Sequence, residues 1–259
     1  VQGARVPLKS PATLLTETSR VSPLPRTQDN DVHPPSFAVE DPKTLHAFVD
    51  AYPFATLISQ GEEPEVTHLP LLLDADEGIL LSHLAKANPH AKRLDGEKML
   101  AIFHGPHAYI SPNWYEADVA VPTWNYAVVH VRGTAELLSE SETKSILGKT
   151  VDRFESTQPS PWPNEIPDDL EQALLQSIAG FRIRISKIKG KFKLGQNRSE
   201  ADHAGVLERL QQGSPGDRQL CCSTGKSPRI IANGRKSAVR NSRSLESIRG
   251  SHRLAIRQD

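Results

Sequence analysis

Leu45, Phe48 and Val49 follow the i, i+3, i+4 spacing of an amphipathic helix. Asp41 can cap that helix and Pro42 fits its first position, while Pro53 stops it. The pattern then changes period. Phe54 to Gln60 and Glu65 to Asp74 are β-rich runs parted by Gly61-Glu62-Glu63-Pro64, which predicts a hairpin. Asp76-Glu77-Gly78 makes a second turn before a third strand, Ile79 to His83, and a short helix is predicted over Pro89 to Leu94. Met99 to His104 and Ala108 to Ser111 read as two further strands. Trp124 to Arg132 alternates cleanly and runs through Gly133 to Leu138.

Helical spacing returns over Ser141 to Glu155 and Asp168 to Ile178, with Pro159 to Pro163 as an extended loop between them. In the last strand region, Phe181 to Lys193, the apolar positions change parity from Phe181, Ile183 and Ile185 to Ile188, Phe192 and Leu194. Such a switch implies a bulge or turn near Ser186-Lys187. A final helix is predicted over Glu200 to Leu210. Six or seven strands at hairpin spacing with few helices between them imply a mainly β fold, an antiparallel β-barrel with peripheral helices.

Charge divides the chain in a way the totals conceal. The 259 residues carry 31 basic and 31 acidic side chains, yet the stretch from Cys221 onward holds nine Lys/Arg against two Asp/Glu. Residues 1–35 are rich in proline and lack apolar periodicity, and residues 213–259 are basic with only isolated aliphatics, so both are expected to be disordered. The expected domain is therefore 36–212. Its acidic balance argues against the surface as a whole being a nucleic-acid platform. Signal-peptide and membrane-spanning stretches are absent, which predicts a soluble, cytoplasmic protein with no membrane partner. Cys221 and Cys222 are adjacent and lack zinc-ligand spacing, and the histidines show no metal-binding pattern with a carboxylate, so no metal is expected.

Three segments concentrate chemistry. Ser82-His83-Leu84-Ala85-Lys86-Ala87-Asn88-Pro89-His90 brings a hydroxyl, an imidazole and an ammonium to a strand-to-helix turn, which suits a phosphate. The same residues also fit a structural reading, with Asn88 capping the short helix and Lys86 solvated. Ala108 to Tyr126 holds five of the chain's fourteen aromatics together with Asn113, Thr123 and Asn125, which suits a planar ligand or equally a subunit interface or core. Arg182 to Arg198 holds seven cations and no acid. Most of those lysines read as a solvated strand face, whereas Arg198 can grip an anion with its planar fork. No nucleotide-hydrolysis loop, dinucleotide fingerprint or serine-nucleophile elbow is present.

Phe37-Ala38-Val39-Glu40-Asp41, Thr67-His68-Leu69-Pro70, Ser82 to Pro89, Ala108 to Pro112, Val121-Pro122-Thr123-Trp124-Asn125-Tyr126 and Lys193-Leu194-Gly195-Gln196-Asn197 together resemble the PaiB family of FMN-binding negative transcriptional regulators. The resemblance covers about Pro35 to Gln212 and leaves both ends outside it. It implies the FMN-binding split barrel of the pyridoxamine-phosphate-oxidase-like flavoproteins, usually a homodimer with FMN between subunits. It also implies that Ser82 and Lys86 hold the phosphate with His83 and Asn88 beside them, that Asn125 contacts the flavin and that Trp124 forms a wall. Arg198 joins these as a candidate cofactor residue.

Two functions follow as expectations. One is FMN-dependent negative regulation of transcription. No helix-turn-helix is evident and the core is acidic, so direct DNA binding is not the expected route. The other is a flavin-dependent oxidoreductase or flavin reductase, in which FMN carries the redox chemistry; His68, His130 and Tyr109 are its candidate proton-transfer groups. A haem on the same barrel would be told apart by its Soret band.

Overall fold

The computed structural model describes residues 35–117, 119–163 and 165–223. Of the segments expected to be disordered, residues 1–34 and 224–259 lie outside the described residues.

Eight strands form one antiparallel sheet: β1 (Ala38–Val39), β2 (Phe54–Ser59), β3 (Val66–Pro70), β4 (Leu72–Asp74), β5 (Ile79–Ala85), β6 (Lys98–Ile110), β7 (Thr123–Leu137) and β8 (Ile178–Lys193). Their order is β3-β2-β6-β7-β8-β5-β4, with β1 added to β8. Among the described residues, five α-helices accompany them: α1 (Pro42–Ala51), α2 (Glu140–Glu155), α3 (Asp168–Ser177), α4 (Glu200–Gln212) and α5 (Pro215–Ser223).

The local rules read from the sequence operate at the helix starts. The Asp41 side chain accepts the Thr44 backbone N–H, with Pro42 in the first turn of α1. Ser139 and Glu142 close a reciprocal capping box at α2. Helix α1 buries Leu45, Phe48 and Val49, and the Phe48 ring lies 5.1 Å from that of Phe192 on β8.

The expected parity change in the last strand is present. Arg132 pairs with Lys187 and Gly133 with Ile185, so Ser186 is the extra residue, and its hydroxyl donates to the Arg132 carbonyl at 3.1 Å. Gly133 is required there, because a Cβ would run into the Arg184 carbonyl oxygen. Beyond the bulge, alternate residues of β8 keep one face.

Three expectations change. The run from Glu65 to Asp74 is two strands, because β3 pairs with β2 while β4 pairs with β5. Buried Leu71 is the corner between them, its N–H donating to Pro53 at 2.9 Å. The runs around Met99 and Ala108 form one strand, β6, interrupted by a register shift between His104 and His107. Past Gln212, helix α5 continues the packing, and Leu220 is buried in the main core. The expected unstructured run from 213 therefore begins as a helix.

The main core lies along the inner face of the sheet, around Leu57, Phe103, Val129 and Phe181. A smaller cluster of Ile79, Leu81 and Ile146 packs β5 against α2.

Candidate functional site

Strand alternation divides the first candidate cluster. Ser82 shares its face with Leu80 and Leu84 of the main core, whereas His83 shares its face with Ile79 and Leu81, toward α2. The buried Ser82 hydroxyl donates to the Pro70 carbonyl at 2.6 Å and so ties β5 to the end of β3. His83 Nδ1 is buried without a hydrogen-bond partner, and burial pushes the ring's pKa below the ordinary histidine value.

Asn88 caps the turn Pro89–Arg93, its Oδ1 accepting the His90 N–H at 3.0 Å. Its Nδ2 donates to Thr67 Oγ1 at 3.3 Å, and His90 Nδ1 meets the same hydroxyl at 3.0 Å. His90 is fully buried, and its other ring nitrogen has no partner. Burial holds its pKa low as well. Lys86 is exposed; its backbone N–H is taken by Ser177, and its ammonium meets no described carboxylate.

The second and third clusters converge through strand pairing. Tyr109 pairs with Trp124, and Tyr126 pairs with Lys193, so the end of β6, the start of β7 and the end of β8 lie side by side. Trp124 is 54% exposed, with the Tyr109 ring edge-on at 6.0 Å and the His107 ring at 6.2 Å. Asn125 alternates inward and is buried, beside Gly195. Lys193 donates to Thr123 Oγ1 and, at 2.9 Å, to the Trp124 carbonyl. It thereby brackets the strand immediately before Asn125.

Beyond β8 the chain turns at Gly195, whose φ of 85° suits glycine, and Leu194 N–H is held by Gln196 Oε1 at 2.8 Å. Arg198 lies over the Tyr115 ring, 4.3 Å from its centroid. Tyr115 is positioned from α4, where buried Asp202 accepts the Glu116 and Ala117 N–H groups at 2.9 and 3.2 Å.

Of the seven cations counted from the sequence, Arg182 and Arg184 share the Glu136 carboxylate at 2.7 and 2.6 Å. Lys193 and Arg198 meet no carboxylate among the described residues. Burial, aided by the nearby charges of Lys191 and Arg198, lowers the Lys193 pKa.

Sequence reasoning passed over Lys193 and Asp202. Lys193 looked like one rung of a solvated ladder. Its period-2 spacing held the missing signal only once the β7 partner was known. Asp202 acts across 86 residues, and no local pattern marks it.

A buried amide beside half-exposed aromatic rings and cations without counter-ions fits a planar anionic heteroaromatic ligand. Among the described residues, no group of three or more His, Cys, Asp or Glu side chains could hold a metal ion. No described helix is long and apolar enough to cross a membrane.

The sheet order and its bulged long strands define an antiparallel split barrel. Two solved structures share the fold. The flavocytochrome Anf3 from Azotobacter vinelandii superposes with a TM-score of 0.51 at 22% identity, covering 65% of this chain and 75% of that one. The FAD and heme binding protein from Mycobacterium smegmatis gives 0.51 at 14% identity, covering 64% and 78%.

The profile of the family described as "Putative FMN-binding domain" matches residues 32–187, and the chain belongs to that family. It is 35% identical over 194 residues to the protease synthase and sporulation protein PAI 2 of Bacillus subtilis, across 72% of this chain and 93% of that protein. It is also 30% identical over 182 residues to the uncharacterized protein AN0679 of Emericella nidulans, across 54% and 72%. FMN is the cofactor that family membership assigns to the chain.

Proposed function

We propose that the chain is an FMN-binding negative transcriptional regulator of the PaiB type. In this reading Asn125 contacts the edge of the flavin and Trp124 walls it, with Arg198 at the same end. Lys86, Asn88 and the turn that Ser82 and His83 support serve the phosphate. The observation that carries it is the buried Asn125 amide, next in sequence to an exposed tryptophan at a strand end where Lys193 and Arg198 meet no carboxylate among the described residues. FMN, when bound, supplies redox chemistry; the side chains named here bind and orient it.

The two groups of residues belong to different ends of β8, since Ser82 pairs with Phe181 while Tyr126 pairs with Lys193. The outward face at the second group also leaves Tyr109 and Trp124 45% and 54% exposed. Both features favour a homodimer in which one copy's phosphate turn and the other's Trp124-Asn125 end meet on one FMN.

Regulation would proceed without a dedicated DNA-binding motif. Helices α4 and α5 are joined by Gly213 and Ser214, but the one cation among the described side chains of α5, Arg218, donates to the Gly213 carbonyl at 2.6 Å, and Leu220 is buried. That leaves little surface with which to read a groove.

The test is to purify the full chain, record its visible spectrum, release any flavin with acid and measure its mass by light scattering. A yellow dimer loaded with FMN supports the reading; a colourless chain that takes up no added FMN overturns it. A flavin-dependent oxidoreductase is the second reading, favoured by the cations without counter-ions at the flavin end. NAD(P)H oxidation by the FMN-loaded protein, with reduction of an acceptor, would support it.

A further inference from the structure

Lys193 and Arg198 stand out from the other cations of this acid-free stretch. The Lys193 ammonium gives two of its three N–H donors to Thr123 Oγ1 and the Trp124 carbonyl, and has no described acceptor for the third. Arg198 lays its guanidinium face on Tyr115, which leaves its fork of N–H donors without a described side-chain acceptor. Both side chains are half-buried. Burial disfavours the Lys193 charge, and Lys191 and Arg198 add to this, while Tyr126 works against it. Gathering like charges in a partly desolvated place is unfavourable unless a negative charge comes to them.

The described strand positions paired around Lys193 offer no such charge. The paired positions His107–Tyr126–Lys193 and Tyr109–Trp124 include no acid, and the nearby Asp202 is occupied with backbone N–H groups. A ligand can supply the counter-charge that these positions lack.

Resting on the FMN reading above, we propose that Lys193 and Arg198 make this site bind reduced FMN in preference to oxidised FMN. The oxidised flavin ring is neutral. Two electrons and one proton taken up by the ring leave it with one additional negative charge, and nearby protein charge tunes that balance. Lys193 bonds the Trp124 carbonyl and lies on the face that exposes the Trp124 ring, so a flavin walled by Trp124 has the cations beside it. Their attraction then acts on the ring and differs between its two oxidation states, whereas a contact to the phosphate would act on both equally.

The experiment loads the full chain separately with FMN and with riboflavin, which lacks the phosphate, and titrates each with dithionite against a redox dye. Lys193→Met and Arg198→Met are each expected to cut the preference for the reduced flavin about tenfold, which lowers the two-electron potential by about 30 mV. The shift is expected with both flavins. Lys187→Met, on the same strand at the far side of the bulge, is expected to leave the potential in place. If Lys193→Met fails to fold by circular dichroism, Arg198→Met carries the comparison.

Unchanged potentials with both flavins still bound would overturn the proposal. So would a selective loss of FMN affinity over riboflavin at an unchanged potential, which would make the pair a phosphate holder. If the unaltered chain binds neither flavin, the FMN reading itself fails, an outcome visible before any variant is made.

Discussion

The turn after β5 and the joined ends of β7 and β8 both concentrate polar side chains, but they use them differently. At the turn, Ser82, Asn88, Thr67 and His90 satisfy one another or the backbone. The Lys86 ammonium projects without a described carboxylate, and His83 Nδ1 and His90 Nε2 are buried without a hydrogen-bond partner. At the strand ends, Asn125 is buried beside cations that have no carboxylate, and Trp124 stands in the open. A cluster whose groups bond to each other has largely completed its chemistry within the fold. One whose charges lack partners still has interaction energy to give to a ligand.

The sharpest way to break this comparison is Thr67→Val, which keeps the shape but leaves Asn88 and His90 without their shared hydrogen-bond partner. Urea denaturation should show a loss of about 2–3 kcal/mol, with FMN affinity of the folded protein nearly unchanged. A collapse of FMN affinity at full stability would make the turn a ligand site in its own right.

Asn125→Leu addresses the other region. Equilibrium dialysis should find FMN and riboflavin both weakened about thirtyfold, roughly 2 kcal/mol, while the urea midpoint holds. Unaltered affinity would remove Asn125 from the site.

Lys86→Ala sharpens what remains of the turn's binding role. FMN should weaken about tenfold, or about 1.4 kcal/mol, with riboflavin little affected. Equal loss for both ligands would show the phosphate role to be wrong.

The smallest expected effect is on pH. His83 and His90 have lowered pKa values because burial disfavours their charged forms. The unfolded chain therefore binds more protons than the folded one as pH falls through the ordinary histidine range near about 6.5. Their contribution is present above that range and declines below it. The urea midpoint should fall between pH 7.5 and 5.5, and should fall less in His90→Leu; an identical fall in both would remove His90 from the effect.

Much of the architecture was legible because it is written locally. The Asp41 cap with Pro42, the hairpin at Gly61 to Pro64 and the parity change at Ser186 each depend on neighbours a few residues apart. The strand break at Leu71 was not legible, since it arises from two different partner strands. Helix α5 was missed because a single buried Leu220 in a polar segment makes no periodic signal. The candidate site was half legible. The motifs marked Asn125, Trp124, Lys86 and Arg198, but strand alternation set Ser82 and His83 on opposite faces, and the β7–β8 register brought Lys193 to the start of β7.

The sequence by itself determined the periods, the caps, the turns and which residue types were available to a flavin, because these follow from covalent neighbours and backbone stereochemistry. Only the tertiary structure decided which polar groups remain unengaged. That depends on the partners long-range strand pairing supplies: Pro70 for Ser82, Thr67 for His90, Glu136 for Arg182 and Arg184, and no carboxylate among the described residues for Lys193 or Arg198.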